Sequence, residues 1–239
     1  MKYLLTFVHF IISLDTKYIW CYILKSDELK NWFENQREVL ETAYLQSKEP
    51  WKQSGMSGPE ERWISLRKPV ADCIDKSGSF LDIGCANGYL LECCIKWVAE
   101  KRMKIDPYGL DISPKLIELA RKRLPQFADH FFVGNAMTWL PPRRFDFVRT
   151  ELVYVPAEYE KQYIEFILRN HLESDGKLLI SNYGEDLPNL EKGILPGAHP
   201  TRKIIGRLAE LDFECTQYRD GYDPIKNRKI RIAILTVKN

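Results

Sequence analysis

Phe80-Leu81-Asp82-Ile83-Gly84-Cys85-Ala86-Asn87-Gly88-Tyr89-Leu90 is the stretch that decides the fold of this chain. An apolar run ends in a short bend bounded by glycines, and a helical pattern starts directly after it. In open α/β sheets this place, outside the carboxyl end of a strand, is where ligands bind. Gly84 and Gly88 lack a β-carbon, so the backbone can turn sharply and a ligand can lie against it. A phosphate-binding loop would end in Gly-Lys-Ser/Thr, and this one does not. A dinucleotide fingerprint, G-x-G-x-x-G, would find Ala86 and Tyr89 where its second and third glycines belong. Ala86 would crowd a pyrophosphate and Tyr89 the helix–sheet contact. The remaining class is an adenosyl ligand without phosphates, its amino-acid end lying along the bend.

Outward from this stretch, strands alternate with helices, the signature of a parallel sheet. Strands are predicted at 79–83, 108–111, 130–133, 145–149 and 177–181, with helices at 89–100, from Ser113-Pro114 onward, and at 157–172. A loop at 182–199 leads to a helix at 200–211. Segments 213–218 and 229–237 are predicted as a final antiparallel pair at the sheet edge. Before the sheet, helices are predicted at 26–47 and 59–75, separated by the glycine- and serine-rich segment Trp51 to Pro59. The expected fold is α/β: a Rossmann-like doubly wound sheet, mostly parallel, with an antiparallel carboxyl-terminal edge pair and amino-terminal helices. Three regions follow: an apolar segment 1–25, a helical lid 26–76 and the Rossmann-like domain 77–239.

Bulk properties narrow the function. The chain has 239 residues, a net charge of +2 and 28% charged residues, an ordinary globular balance. No basic stripe points to nucleic acid. Arg121-Lys122-Arg123 reads as a helix carboxyl end, where cations offset the dipole. Six cysteines form no C-x-x-C pair, and no Cys/His spacing suggests a metal, so none is expected. Buried thiols and a reducing cytoplasm fit this usage. The apolar run Tyr3 to Leu14 has the length of a signal-peptide core without a cleavage site. Extended to Leu24 it approaches membrane-spanning length, but Asp15 and Lys17 would then sit near its middle. A packed or disordered terminal segment, a start placed too far upstream, and an anchor all remain open readings.

Five segments in order carry a resemblance. Asp82-x-Gly84-x-x-x-Gly88, Tyr108-Gly109-Leu110-Asp111-Ile112-Ser113, Val133-Gly134-Asn135-Ala136, Arg144-Phe145-Asp146-Phe147-Val148 and Gly176-Lys177-Leu178-Leu179-Ile180 are similar to successive motifs of the class I S-adenosylmethionine-dependent methyltransferases. The amino-terminal pattern also resembles an uncharacterised bacterial group within that family. The resemblance implies S-adenosyl-L-methionine as cofactor and Asp82, Gly84, Cys85, Ala86, Asn87, Gly88, Asp111, Ile112, Asn135, Ala136, Met137 and Glu151 as cofactor-binding residues. Asp111, 29 residues beyond Asp82, would accept hydrogen bonds from both ribose hydroxyls. Otherwise it is an acid at a helix amino terminus. Asp82 would hold loop amides or the ligand's ammonium group through water. Asn135 stands where the family usually has an acid. An amide can still accept from the adenine amino group. Met137 would flank the adenine or pack in the core.

The acceptor would approach over the carboxyl ends of the fourth and fifth strands, among Thr150, Glu151, Tyr154, Asn182 and Tyr183. Glu151 is the expected general base, needed only if the acceptor arrives protonated. Otherwise it contacts cofactor or caps the turn. His199, in the long loop after the fifth strand, is a second catalytic candidate or a surface histidine. His130 and His171 fall at the wrong edge, and His171 reads as a cation at a helix carboxyl end. Trp51, Gln53, Ser54, Trp63 and Arg67 are expected to close over the ligand, or the tryptophans simply pack. No Asn/Asp-Pro-Pro-Tyr follows the fourth strand, which disfavours nucleic-acid amino-methyltransfer. The reading is therefore a methyltransferase with a small-molecule methyl acceptor, without nucleic-acid or membrane partners apart from the open terminal segment. A non-catalytic adenosyl-binding protein and a nicotinamide-dependent oxidoreductase are the competing readings.

Overall fold

The computed structural model describes residues 27–189 and 201–237. Segment 1–25 and His199 lie outside the described residues. Helix α1 (Asp27–Tyr44) and helix α2 (Glu60–Asp72) precede the sheet, joined by a loop with a single 3-10 turn at Lys52–Ser54. The sheet and its helices then alternate: β1 (Gly78–Ile83), α3 (Tyr89–Glu100), β2 (Ile105–Asp111), α4 (Pro114–Arg123), β3 (Phe131–Val133), β4 (Phe145–Thr150), α5 (Glu160–Asn170) and β5 (Leu172–Asn182). Helix α6 (Ile204–Glu210), β6 (Gln217–Asp223) and β7 (Arg228–Thr236) follow.

The seven strands lie in the order β3-β2-β1-β4-β5-β7-β6. Those from β3 to β5 are mutually parallel, while β7 pairs antiparallel with both β5 and β6. This is the Rossmann-like doubly wound sheet that the strand–helix alternation predicts, including its antiparallel end. The chain order reverses between β1 and β4, so the switch point opens beside the bend after β1.

Two apolar layers enclose the sheet. One gathers Phe80, Leu91, Cys94, Val98, Ile117, Phe131 and Phe147 beneath α2, α3 and α4. The other gathers Leu81, Leu110, Val148, Ile164, Ile167, Leu178 and Ile180 against α1, α5 and α6. Cys73, Cys85, Cys93 and Cys94 are buried, as apolar fillers should be. Pro114 sits at the first position of α4, and the Ser113 side chain caps it by accepting from Leu116 N. Arg121, Lys122 and Arg123 occupy the last turn of the same helix.

Three local expectations change. The fifth strand spans Leu172–Asn182, with an irregularity between the Phe145–Leu172 and Phe147–Lys177 pairs, where a β-carbon on Gly176 would come 2.9 Å from the Phe145 carbonyl. The segment 213–218 forms a strand only from residue 217. His171 does not act as a cation at the end of α5: it is fully buried, and burial lowers its pKa to about 4. A neutral imidazole is the form that an apolar site admits. No helix among the described residues is long and apolar enough to cross a membrane.

Trp63 anchors the amino-terminal helices to this core. It is fully buried on α2, its ring 4.6 Å from that of Tyr89 and 6.2 Å from that of Trp97 on α3. Its indole nitrogen donates to Ser54 Oγ at 2.6 Å. Truncating such a side chain removes transfer energy and leaves a cavity. Trp63→Ala is expected to cost about 3–5 kcal/mol in a urea unfolding titration. A loss below about 1 kcal/mol would mean that α2 is not part of the cooperative unit.

Candidate functional site

The bend after β1 is held from two sides. Gly84 N and Cys85 N both donate to the Leu110 carbonyl near the end of β2, at 2.7 and 3.1 Å. Asp111, the last residue of β2, then accepts from Ala86 N at 2.9 Å with one carboxylate oxygen and from Ser113 N at 2.9 Å with the other. Gly84 and Gly88 have φ of 76° and 74°, in the left-handed region, which explains the glycines. Ala86 also has a positive φ, 47°. The backbone bond to Asp111 offsets the roughly 1–2 kcal/mol that an L-residue loses in that conformation.

A cavity of about 460 Å³ opens on this bend. Its floor is Asp82, Ile83, Gly84, Cys85, Ala86, Asp111 and Ile112, with Gly134 and Ala136 beyond β3. Its roof is α1, through Trp32, Phe33, Gln36, Leu40 and Tyr44. A charged tether holds that roof down: buried Glu41 accepts from Ser113 Oγ and Lys115 Nζ, both at 2.8 Å. Those bonds, led by the one from Lys115, lower the Glu41 pKa despite burial. Ser54, Gly55, Met56, Trp63 and Arg67 close one end.

The far wall is built on Arg149, in β4, which is buried. Its guanidinium donates to Asp82 at 3.2 Å, to the Tyr154 hydroxyl at 2.9 Å, to the Tyr183 hydroxyl at 3.3 Å and to Ser181 Oγ at 3.3 Å. It also pairs with Glu151. Burial alone would lower its pKa, but Tyr154, Glu151, Tyr183 and Asp82 together hold it well above the usual guanidinium value. Burial raises the Asp82 pKa against the pull of Arg149. Burial likewise raises Asp111 to about 6, against the backbone bonds from Ser113 and Ala86.

The residues singled out from the sequence divide accordingly. Asp82, Gly84, Cys85, Ala86, Asp111, Ile112, Ala136 and Glu151 line one cavity, with Ser54, Trp63, Arg67, Tyr154 and Tyr183 around it. Others face elsewhere. Asn87 is fully buried, its amide donating to the Pro50 carbonyl and to Gln53 Oε1, both at 3.0 Å. Asn87 and Gln53 thus lock the loop before α2 to the bend. Trp51 donates to the Gly58 carbonyl at 3.1 Å. Asn135 uses its side-chain oxygen to accept from Met137 N at 2.8 Å, and Met137 is buried in the core. Gly88 abuts Ala120 of α4, where an added β-carbon would come within 3.0 Å.

Gly84 also makes room for a side chain of the far wall. A β-carbon there would strike the Tyr154 ring at 2.5 Å, so the missing side chain also seats a tyrosine bonded to Arg149. Arg149 and Tyr44 escaped the sequence reading, which placed the first helix in the lid without naming its lining residues. Arg149 looks like one more alternating residue of a strand, and only its position opposite Asp82 in the β1–β4 register reveals the pairing. Among the described residues, no group of His, Cys, Asp and Glu is arranged to hold a metal ion.

Comparison with known proteins agrees with this architecture. Residues 74–214 match a family model described as a methyltransferase domain. Magnesium protoporphyrin IX methyltransferase from Synechocystis, solved with bound S-adenosylmethionine, superposes with a TM-score of 0.55 at 16% identity, covering 85% of this chain and 97% of that one. A protein from Pyrococcus horikoshii gives 0.56 at 18% identity over 77% of this chain and 93% of its own. A TehB-like S-adenosylmethionine-dependent methyltransferase from Corynebacterium glutamicum gives 0.51 at 14% identity, covering 87% of this chain and 100% of that one. No curated protein sequence matches the chain. With a matched model spanning more than half its length, the chain belongs to the methyltransferase-domain family of class I Rossmann-like fold, whose cofactor is S-adenosylmethionine.

Proposed function

We propose that this chain methylates a small-molecule acceptor, with S-adenosylmethionine bound between the bend after β1 and the end of β2. The observation that carries this reading is the placement of the Asp111 carboxylate and the Gly84–Ala86 backbone in the floor of one cavity. A carboxylate at the end of the second strand is where a ribose diol is gripped in sheets of this type. Each Asp111 oxygen accepts one backbone bond and keeps lone-pair capacity for a hydroxyl. The cavity volume falls in the range of small-molecule and cofactor sites. The bend, where Ala86 would crowd a pyrophosphate, suits an adenosyl ligand whose tail is an amino acid.

When bound, the cofactor supplies a sulfonium methyl group, whose carbon–sulfur electron pair returns to sulfur as the acceptor's lone pair bonds the carbon. The protein's part is placement and exclusion of water. In this reading Asp111 accepts from the ribose, and Ile112 and Ala136 flank the adenine. Asp82 fixes the amino-acid end through the bend and ordered water. Asn87, Gly88 and Gln53 act by holding that bend in shape, while Asn135 and Met137 shape the segment after β3. Residues 26–76 form the lid, α1 being its roof, with Ser54 and Trp63 closing one end. Glu151 takes the acceptor's proton where there is one, oriented for that by Arg149. Tyr154 and Tyr183 line the acceptor's side. The setting we assign is the cytoplasm, where the buried thiols stay reduced.

Calorimetric titration with S-adenosylhomocysteine and, separately, NADH tests the reading. Micromolar binding of the first and none of the second is expected; the reverse would contradict it. Asp111→Ala is expected to weaken S-adenosylhomocysteine binding by about 1.5–3 kcal/mol, the scale of charge-assisted hydrogen bonds. Unchanged affinity would remove Asp111 from the site.

The elevated pKa of Asp111 gives a pH signature. The diol is held by the carboxylate form, so affinity is full well above pH 6 and falls as pH drops through about 6. At pH 5 the dissociation constant should be roughly tenfold higher than at pH 8. Asp111→Asn should bind weakly with a flat profile between these pH values; a tenfold drop persisting in that variant would assign the titration elsewhere.

Arg149 carries a stability prediction. Arg149→Met leaves the buried Asp82 without its cation and should cost about 3–5 kcal/mol in denaturant unfolding. A loss under about 1 kcal/mol would show that Asp82 does not depend on this partner.

A further inference from the structure

Gly84 is claimed from two directions. Its amide donates to the Leu110 carbonyl, as does that of Cys85, and the Ala86 amide is spent on Asp111. At Gly84 the bend therefore offers a ligand its bare α-carbon and its carbonyl, not its N–H. The α-carbon face is covered. The three atoms nearest to a β-carbon built on Gly84 all belong to Tyr154: Cε2 and Cζ at 2.5 Å and the hydroxyl oxygen at 2.7 Å. A β-carbon stands about 1.5 Å from its α-carbon, so the ring lies within about 4 Å of the Gly84 α-carbon, which is van der Waals contact. An amino-acid tail running from Gly84 to Ala86 needs that same contact. Atoms in a packed interior do not share space, so the ring and the tail exclude each other.

The contact is held by a latch and carried on a turn that can give. The Tyr154 hydroxyl accepts from Arg149 Nη1 at 2.9 Å. Arg149 spends its other four N–H groups on Asp82, Glu151, Tyr183 and Ser181, so it stays in place whether or not Tyr154 is bonded to it. Tyr154 ends the 3-10 turn Leu152–Tyr154. Leu152 and Val155 are buried on either side of the tip, whereas Val153 is exposed and lines the cavity. The turn's own bonds, Tyr154 N to the Glu151 carbonyl and Val155 N to the Leu152 carbonyl, are both 3.3 Å, longer than a usual N–H···O bond. Anchored at both ends and open at its tip, this turn can release the ring while β4 and α5 stay as they are.

We propose that Tyr154 is an occluding residue: its ring covers the place of the cofactor's amino-acid end, and the cofactor binds by displacing it from Gly84. The inference rests on the methyltransferase reading, in which that end lies along the bend, and adds an internal competitor for the same surface. The competition concerns the tail alone. The nucleoside's place, at Asp111, Ile112 and Ala136, belongs to β2 and β3, and β2 flanks β1 on the side opposite to β4, from which Tyr154 comes. Part of the tail's binding energy is spent on lifting the ring. The wild type therefore binds a tailed ligand more weakly than the open form of the site would.

The test compares two ligands by calorimetry on the full chain: S-adenosylhomocysteine, and 5′-methylthioadenosine, which keeps the nucleoside and sulfur but has no amino-acid end. The quantity read is the ratio of their affinities. Tyr154→Ala, which removes ring and latch, should raise that ratio in favour of S-adenosylhomocysteine tenfold or more. Tyr154→Phe, which keeps the ring but frees it from Arg149, should raise it threefold or more. Methylthioadenosine affinity should stay within twofold of the wild type in both variants, which also reports that they fold. If Tyr154→Ala loses its circular dichroism spectrum, Tyr154→Phe decides alone. A ratio that is unchanged or lower in the folded variants overturns the proposal, because the ring would then be a wall on which the tail packs; the methyltransferase reading would stand. If neither wild type nor variants bind either ligand, that reading fails and the proposal with it.

Discussion

The clamp between the end of β2 and the bend after β1 governs the rest of the site. Four backbone amides, those of Gly84, Cys85, Ala86 and Ser113, are satisfied by the Leu110 carbonyl and the Asp111 carboxylate. Without those acceptors the bend would carry buried donors with no partner, each costing about 1–3 kcal/mol. The clamp also presets the site. The carboxylate is already desolvated and fixed beside the bend, so a ligand meets a formed surface and little reorganisation opposes binding.

Everything else in the cavity is arranged around that fixed floor. Asp82 sits at the switch point, buried next to Asp111, and the repulsion between two acids there is relieved by Arg149 from β4. Arg149 in turn bonds Glu151, Tyr154 and Tyr183, so one guanidinium links the floor of the cavity at Asp82 to its far wall. The roof depends on the same region: Glu41 of α1 is bonded to Ser113, whose amide Asp111 holds. A change at Asp111 would thus be felt in the bend, in the cap of α4 and in the roof together. These residues form one network, and their mutational effects are not expected to add.

The sequence made the sheet legible because its signals were local. Alternating apolar strands, the glycine-bounded bend and the Ser113-Pro114 cap each announce their element within a few residues. The place of Asp111 in the cavity was legible for the same reason, since it stands at the end of a strand. Asn87, Asn135 and Met137 carried the same kind of signal, yet their side chains serve the loop and core. Short polar side chains in tight turns often bond neighbouring backbone, and the sequence does not say which partner wins. Arg149 and the Glu41 tether of α1 were illegible because their roles arise from contacts across many residues, 67 apart for Arg149 and Asp82 and 72 apart for Glu41 and Ser113. Arg67 was picked out as part of a closing segment, but its stack on Tyr183, 116 residues away, carries no local signal.

The central claim is that the Asp111 carboxylate and the bend it clamps form the seat of an adenosyl ligand. A crystal structure of the chain with S-adenosylhomocysteine tests this most directly. Both ribose hydroxyls should lie within hydrogen-bonding distance of the two Asp111 oxygens, about 2.5–3.0 Å, with the amino-acid end along Gly84 to Ala86. A ribose bound elsewhere, with Asp111 still bonded only to its backbone partners, would contradict the account.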